Sequence, residues 1–207
     1  MRNATKTAAT WLGVVAGIAG LEHGYFEFLH GNVPPPSLMF PSMGHPCDPD
    51  VIWNACEPAL TILPNLQAAG LLTILLGILI IIWSVFFIQS RHGGLVLIVL
   101  SILLLLAGGG IFPPLIGILG GAAGTQIHKP LPEKPPGRLP RLGAKLWPWP
   151  LVILMIWLLG QFPVGHFFNE FLKGIMGFGM LLILTMLPLS VYSAYAADLL
   201  QVRSQDL

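Results

Sequence analysis

Five stretches of the chain are almost unbroken in apolar residues: Ala8 to Leu29, Leu66 to Ile88, Leu95 to Gly124, Trp149 to Val164 and Ile175 to Leu200. Runs such as Leu71 to Val85 lack the polar–apolar alternation that a barrel strand would carry. A helix rising 1.5 Å per residue crosses a hydrocarbon layer of about 30 Å in about 20 residues. Backbone in such a layer must satisfy its own hydrogen bonds, which leaves helices as the spanning elements. The pattern predicts an all-α integral membrane protein, a polytopic helical bundle forming one membrane domain over residues 1–207.

The first block has the outline of a secretory signal, with Arg2 and Lys6 ahead of the apolar run from Ala8 to Leu21. Its pattern resumes through Tyr25, Phe26, Phe28 and Leu29, so it reads as a first membrane helix. Gly13 with Gly17, and Ala16 with Gly20, place small residues four apart. That spacing lets helix backbones approach closely, within the subunit or across a dimer.

The third block is interrupted by Gly108-Gly109-Gly110 and Pro113-Pro114. It reads either as one broken span or as two short helices, 95–107 and 115–124, joined by a turn at Gly108 to Pro114. Lys and Arg in short loops concentrate on the cytoplasmic side. The two-helix reading gathers Arg2, Lys6, Arg91, Lys129, Lys134, Arg138, Arg141, Lys145 and Arg203 on one side, nine of the ten basic residues. The single-span reading divides them four against six. The expected architecture is therefore four full spans (8–29, 66–88, 149–164 and 175–200) plus a short broken hairpin, able to re-enter the bilayer from one face. This is a multi-pass topology in the cell membrane with both termini cytoplasmic, and the hairpin turn is a second place where function could sit.

Residues 31–65 then form an extracytoplasmic loop, stiffened by prolines including Pro34-Pro35-Pro36 and helical at most for a turn or two at Asp50 to Cys56. It holds Asp48, Asp50 and Glu57 but no Lys or Arg. Both cysteines of the chain, Cys47 and Cys56, lie in it. In an oxidising compartment a disulfide between them would close a small ring. Residues 125–148 form a basic, proline-rich cytoplasmic linker lying along the headgroups, with Trp147 and Trp149 marking re-entry.

Composition agrees: 55% of residues are hydrophobic and 9% charged, against about a quarter charged in soluble domains. A net charge of +1 offers no surface for nucleic acid, so the partners expected are the lipid bilayer and other membrane subunits or further copies of the chain. No Gly-x-Ser-x-Gly, His-Glu-x-x-His or phosphate-cradling glycine loop is present, which weighs against an enzyme.

Against that background, Glu22 to Gly31 is anomalous, with Glu22, His23, Glu27 and His30 at the end of an apolar helix. Residues three and four apart share a helix face, so His23, Glu27 and His30 form one stripe. A shift of 143 residues superimposes His23 on His166, Glu27 on Glu170, Phe28-Leu29 on Phe171-Leu172 and Gly31 on Gly174. In the expected topology the two motifs sit at one depth and face each other, as parallel repeats can.

Ionisable groups near hydrocarbon are costly and usually face a bundle interior or cavity. The first reading of function is non-enzymatic: a structural or accessory subunit of a membrane assembly, with the motifs as local polar pairs and no cofactor. The second is a small transporter or channel in which Glu27 and Glu170 exchange protons or cations beside titrating histidines. The third is an oxidoreductase component holding a metal among His23, Glu27, His166 and Glu170, or a haem between His23 and His166. A di-iron centre is disfavoured, because Glu27-x-x-His30 recurs as Glu170-x-x-Lys173.

Overall fold

The computed structural model of the chain describes residues 2–43, 54, 56–130 and 137–203. Within these it is mostly helical. Its elements are α1 (Asn3–Leu29), β1 (Met39–Pro41), β2 (Pro58–Leu60), α2 (Leu66–Ile82) with a π-helical turn at Trp83–Phe87, α3 (Gly93–Ala107), α4 (Phe112–Gly124), α5 (Arg138–Leu146), α6 (Trp149–Phe167) and α7 (Asn169–Arg203). Three helical stretches, Leu66–Phe87, Trp149–Phe167 and Asn169–Gln201, are long and apolar enough to cross a membrane, and α3 and α4 are shorter apolar helices.

Helix α1, expected as a fourth span, has 27 residues but is not in that strongly apolar set. It carries Gly and Ala where the others carry Leu and Ile, besides Lys6, Glu22 and Glu27. Its position accounts for this. α1 is the central helix and touches α2, α3, α4, α6 and α7, so most of its surface meets protein, with Trp11, Tyr25, Phe28 and Leu29 facing outward. One apolar cluster joins Leu12, Val15 and Ala16 to Ile116, Leu154, Leu158 and Leu187; another joins Ala9 to Ile80, Leu97 and Leu104.

The bundle is inverted relative to a water-soluble fold. Leu71, Leu75 and Ile78 on α2, Ile156 on α6, and Phe178, Leu181 and Leu184 on α7 are exposed, whereas His23, Glu27, Ser101 and Ser190 are buried. Glycines allow the close crossings inside. A Cβ on Gly17 would lie 2.7 Å from Gly77 O, and one on Gly24 would lie 2.8 Å from Gly70 O. The α1–α2 backbones therefore touch directly. Gly20 abuts Leu104 of α3 and Ala16 borders Gly117 of α4, so both small-residue faces of α1 are used within the subunit.

The broken third block is a hairpin of two helices. Leu97 packs at Gly13 and Leu104 at Gly20, so α3 runs parallel to α1; α4 returns, with Gly117 at Ala16 and Gly120 at Leu12. Its base lies beside the N terminus of α1, where Lys6 Nζ bonds Gln89 and His128 Nε2 lies 2.6 Å from Gln89 O. Its tip reaches Glu27 and the loop, where Ile62 N donates to Leu106 O at 3.1 Å. Hence the hairpin follows α1 for most of its length.

Several boundaries differ from the sequence reading. Pro113 and Pro114 belong to the first turn of α4 rather than to the turn before it, because a first-turn residue needs no intrahelical N–H partner. The 125–148 linker contains α5. α6 continues through Pro163 to Phe167, and α7 begins at Asn169, leaving Phe168 as the only break between them. In the 31–65 loop, β1 and β2 pair antiparallel with Phe40 opposite Ala59. Of the Asp50 to Cys56 segment, Asn54 and Cys56 are in turns and the rest lies outside the described residues, as does Cys47; Cys56 is not a free thiol.

Candidate functional site

Three parts of the chain far apart in sequence meet near the C-terminal end of α1: the Glu22–Glu27 turns, the loop residues Ser42, Asn54 and Glu57, and the glycine turn between α3 and α4. The turn is left-handed at Gly108 (φ 122°) and Gly110 (φ 74°), a conformation that excludes most side chains. Gly109 N and Gly110 N donate to Leu104 O (2.9 Å) and Gly108 O (2.7 Å). The absence of Cβ atoms there has a second effect. The Glu27 carboxylate lies directly over Gly108, and the His23 ring over Gly110.

His23 is 1% exposed. Its Nε2 lies 3.1 Å from Glu57 Oε2 and its Nδ1 lies 2.8 Å from Ser42 Oγ. A carboxylate only accepts, so Nε2–H donates to Glu57, while Nδ1 pairs with the Ser42 hydroxyl, whose Oγ also lies 3.3 Å from Glu57 O. Ser42 is fixed in turn, its backbone N donating to Glu57 O at 3.1 Å. Glu22 Oε1 accepts from Asn54 Nδ2 at 3.1 Å. The loop is thus fastened to α1 by polar contacts on two adjacent residues.

Glu27 is different: it is 0% exposed, and neither carboxyl oxygen has a hydrogen-bond partner among the described residues. Burial of a charged group without a partner costs several kcal/mol. His30, the last of the stripe, turns back on its own helix, with Nδ1 2.7 Å from Phe26 O.

A narrow cavity of about 50 Å³ adjoins the cluster, lined by Glu22, His23, Asn54 and Glu57 on one side and by Gln161, Phe162 and Met180 on the other. That is room for a few ordered waters. The α6 residue opposite His23 is therefore Gln161, one to two turns deeper than His166. His166 and Glu170 lie instead at the exposed α6–α7 junction, on different helices either side of Phe168. There His166 meets Phe167 edge-on and Glu170 pairs with Lys173 at 2.9 Å. The two motifs, similar in sequence, occupy unlike surroundings.

Both His23 nitrogens are already engaged, and among the described residues no three His, Cys, Asp or Glu side chains come together for a metal. Ser42 and Asn54 escape the sequence reading as parts of the site, whereas the turn holding Gly108 and Gly110 is expected there as a second, separate place rather than as part of this one. The one signal is that the loop's acids have no Lys or Arg beside them, which leaves the α1 histidines as hydrogen-bond partners. No protein-family model, curated protein or solved structure matches the chain.

Proposed function

We propose that the chain is a multi-pass membrane protein, with cytoplasmic termini and an extracytoplasmic 31–65 loop, that takes up and releases a proton or small cation at Glu27 as a small transporter or channel. The observation carrying this reading is the fully enclosed, unpartnered Glu27 carboxylate over Gly108. A carboxylate in such a place needs a proton or a cation to compensate it, and ionisable groups inside membrane bundles usually mark ion or proton sites. Glu57, half-buried in the loop, bonds His23, and His23 lies one helical turn from Glu27 on the same stripe, which brings the site close to the loop. The grouping of Arg2, Lys6 and Arg91 near the termini supports the orientation.

The test is proton flux into vesicles containing the purified protein, read with an entrapped pH dye. Glu27→Gln should abolish the flux, and Glu170→Gln, at an exposed Lys173-paired site, should leave it unchanged. Wild-type flux in Glu27→Gln would end the proposal.

A second reading, an accessory subunit of a membrane assembly, is favoured by Gly160, Gly174 and Gly177, above which a Cβ would meet nothing within 4 Å. A neighbouring helix could approach α6 and α7 closely there. Purification as a stable monomer without a partner would count against it.

A further inference from the structure

Helix α5 has three distinct faces. Pro140, Gly143 and Ala144 turn toward α7, where a Cβ on the buried Gly143 would lie 3.2 Å from Ala196 Cβ. Leu139, Leu142 and Leu146 recur at helical spacing and are exposed, Leu139 by 73% and Leu142 by 58%. Arg138, Arg141 and Lys145 recur at the same spacing and are also exposed. Nine residues thus carry a docking face, an apolar face and a cationic face side by side.

Its place in the bundle is equally specific. α7 has 35 residues, about 52 Å of helix at 1.5 Å each, well beyond a hydrocarbon layer of about 30 Å. α5 rests on its later turns, at Tyr192 and Ala196, close to where Asp198 meets the start of α1. Beside Lys145 a cleft of about 440 Å³ opens between α5 and the ends of α1 and α7, lined by Ala4, Lys145, Trp147, Leu200 and Gln201.

We infer that α5 is an interfacial helix that binds anionic phospholipid in the leaflet on the side of the termini. Leu139, Leu142 and Leu146 enter the acyl boundary, Arg138, Arg141 and Lys145 meet the phosphates, and a headgroup occupies the cleft at Lys145. Charge complementarity selects the occupant: a zwitterionic lipid would satisfy the leucines but brings each phosphate with its own ammonium, whereas an anionic lipid offers three neighbouring cations a net counter-charge. The inference rests on the membrane reading but is independent of Glu27.

The test places the full-length protein in phosphatidylcholine vesicles doped with nitroxide-labelled phosphatidylglycerol or phosphatidylcholine and compares the two labels at the protein surface. Each cation near the headgroups contributes about a five-fold preference at most, so the wild type should favour phosphatidylglycerol several-fold, less so at high salt. The triple variant Arg138→Gln/Arg141→Gln/Lys145→Gln should lose that preference, and the single variants should show graded losses if the triple does not fold. Equal selectivity in wild type and variants would overturn the inference, as would displacement of the labelled lipid by inorganic phosphate alone. Failure of the protein to enter either vesicle would remove the membrane reading and this inference with it, whereas wild-type flux in Glu27→Gln would end the Glu27 reading and leave this inference standing.

Discussion

Replacing Gly108 with alanine tests the placement of Glu27 without assuming any transport. At φ 122° a residue with a Cβ is strained by about 1–3 kcal/mol. The new methyl would also coincide with the Glu27 carboxylate. A glutamate carboxylate ordinarily swings aside at little cost, but this one is enclosed on every side, and forcing it off its rotamer adds about 0.5–1.5 kcal/mol. The expected loss is about 2–4 kcal/mol, a large part of a typical stability of about 5–15 kcal/mol. Gly174→Ala and Gly177→Ala supply the opposite sign: both are helical with open space above them, and alanine should stabilise by about 0.5–1 kcal/mol. Denaturant unfolding in detergent micelles, followed by near-UV circular dichroism of the tryptophans, reads all three. In a double-mutant cycle, Glu27→Ala should relieve the steric part of the Gly108→Ala cost and leave the backbone part. A Gly108→Ala protein within about 0.5 kcal/mol of wild type, or strict additivity with Glu27→Ala, would refute the geometry.

Two further outcomes are expected. Asp198 receives Ala4 N (2.9 Å), Thr5 N (2.8 Å) and Thr5 Oγ1 (2.7 Å), capping the start of α1 from α7. Asp198→Ala should therefore cost about 2–4 kcal/mol in the same unfolding assay, with Asp198→Asn recovering part of the loss. In the extracytoplasmic orientation, Cys47 and Cys56 should be joined, so intact-mass analysis without reductant should find the chain lighter by two hydrogens; breaking the ring by Cys47→Ser should cost about 3 kcal/mol.

The parts of the fold legible in the sequence are those whose environment demands one kind of residue. α2, α6 and α7 face outward along much of their length, which keeps them continuously apolar and visible as blocks. The α3–α4 hairpin was accessible through charge counting, since Arg91 and Lys129 have to sit at one end. α5 was hidden for a physical reason: Pro140 and the neighbouring prolines read as breakers, yet Pro140 falls in the first turn of a helix, where proline does no harm. The β1–β2 pair was hidden because three-residue strands containing proline carry no alternation to detect. The second motif shows the converse error. His166 and Glu170 share spacing with His23 and Glu27, but Phe168 breaks the helix between them, so equal spacing in sequence does not place them on one face.

α1 shows why the site was harder to read than the spans. A helix surrounded by other helices is relieved of the need for leucine; it needs small residues where backbones cross and can carry polar groups where neighbours supply contacts. Its weak hydropathy thus follows from its central place in the bundle. The same reasoning joins the two anomalies that the sequence presented separately. The glycines at 108 and 110 look like a simple helix break, and the acids and histidine at 22–27 look like a costly intrusion. Each explains the other: only a turn without Cβ atoms leaves space for His23 and Glu27, and these two side chains of α1 occupy it. His23 is then satisfied by the loop, while Glu27 is left with the turn alone. On the proposed reading, this asymmetry between two residues one helical turn apart makes Glu27, rather than the histidine, the group to bind and release the proton or cation.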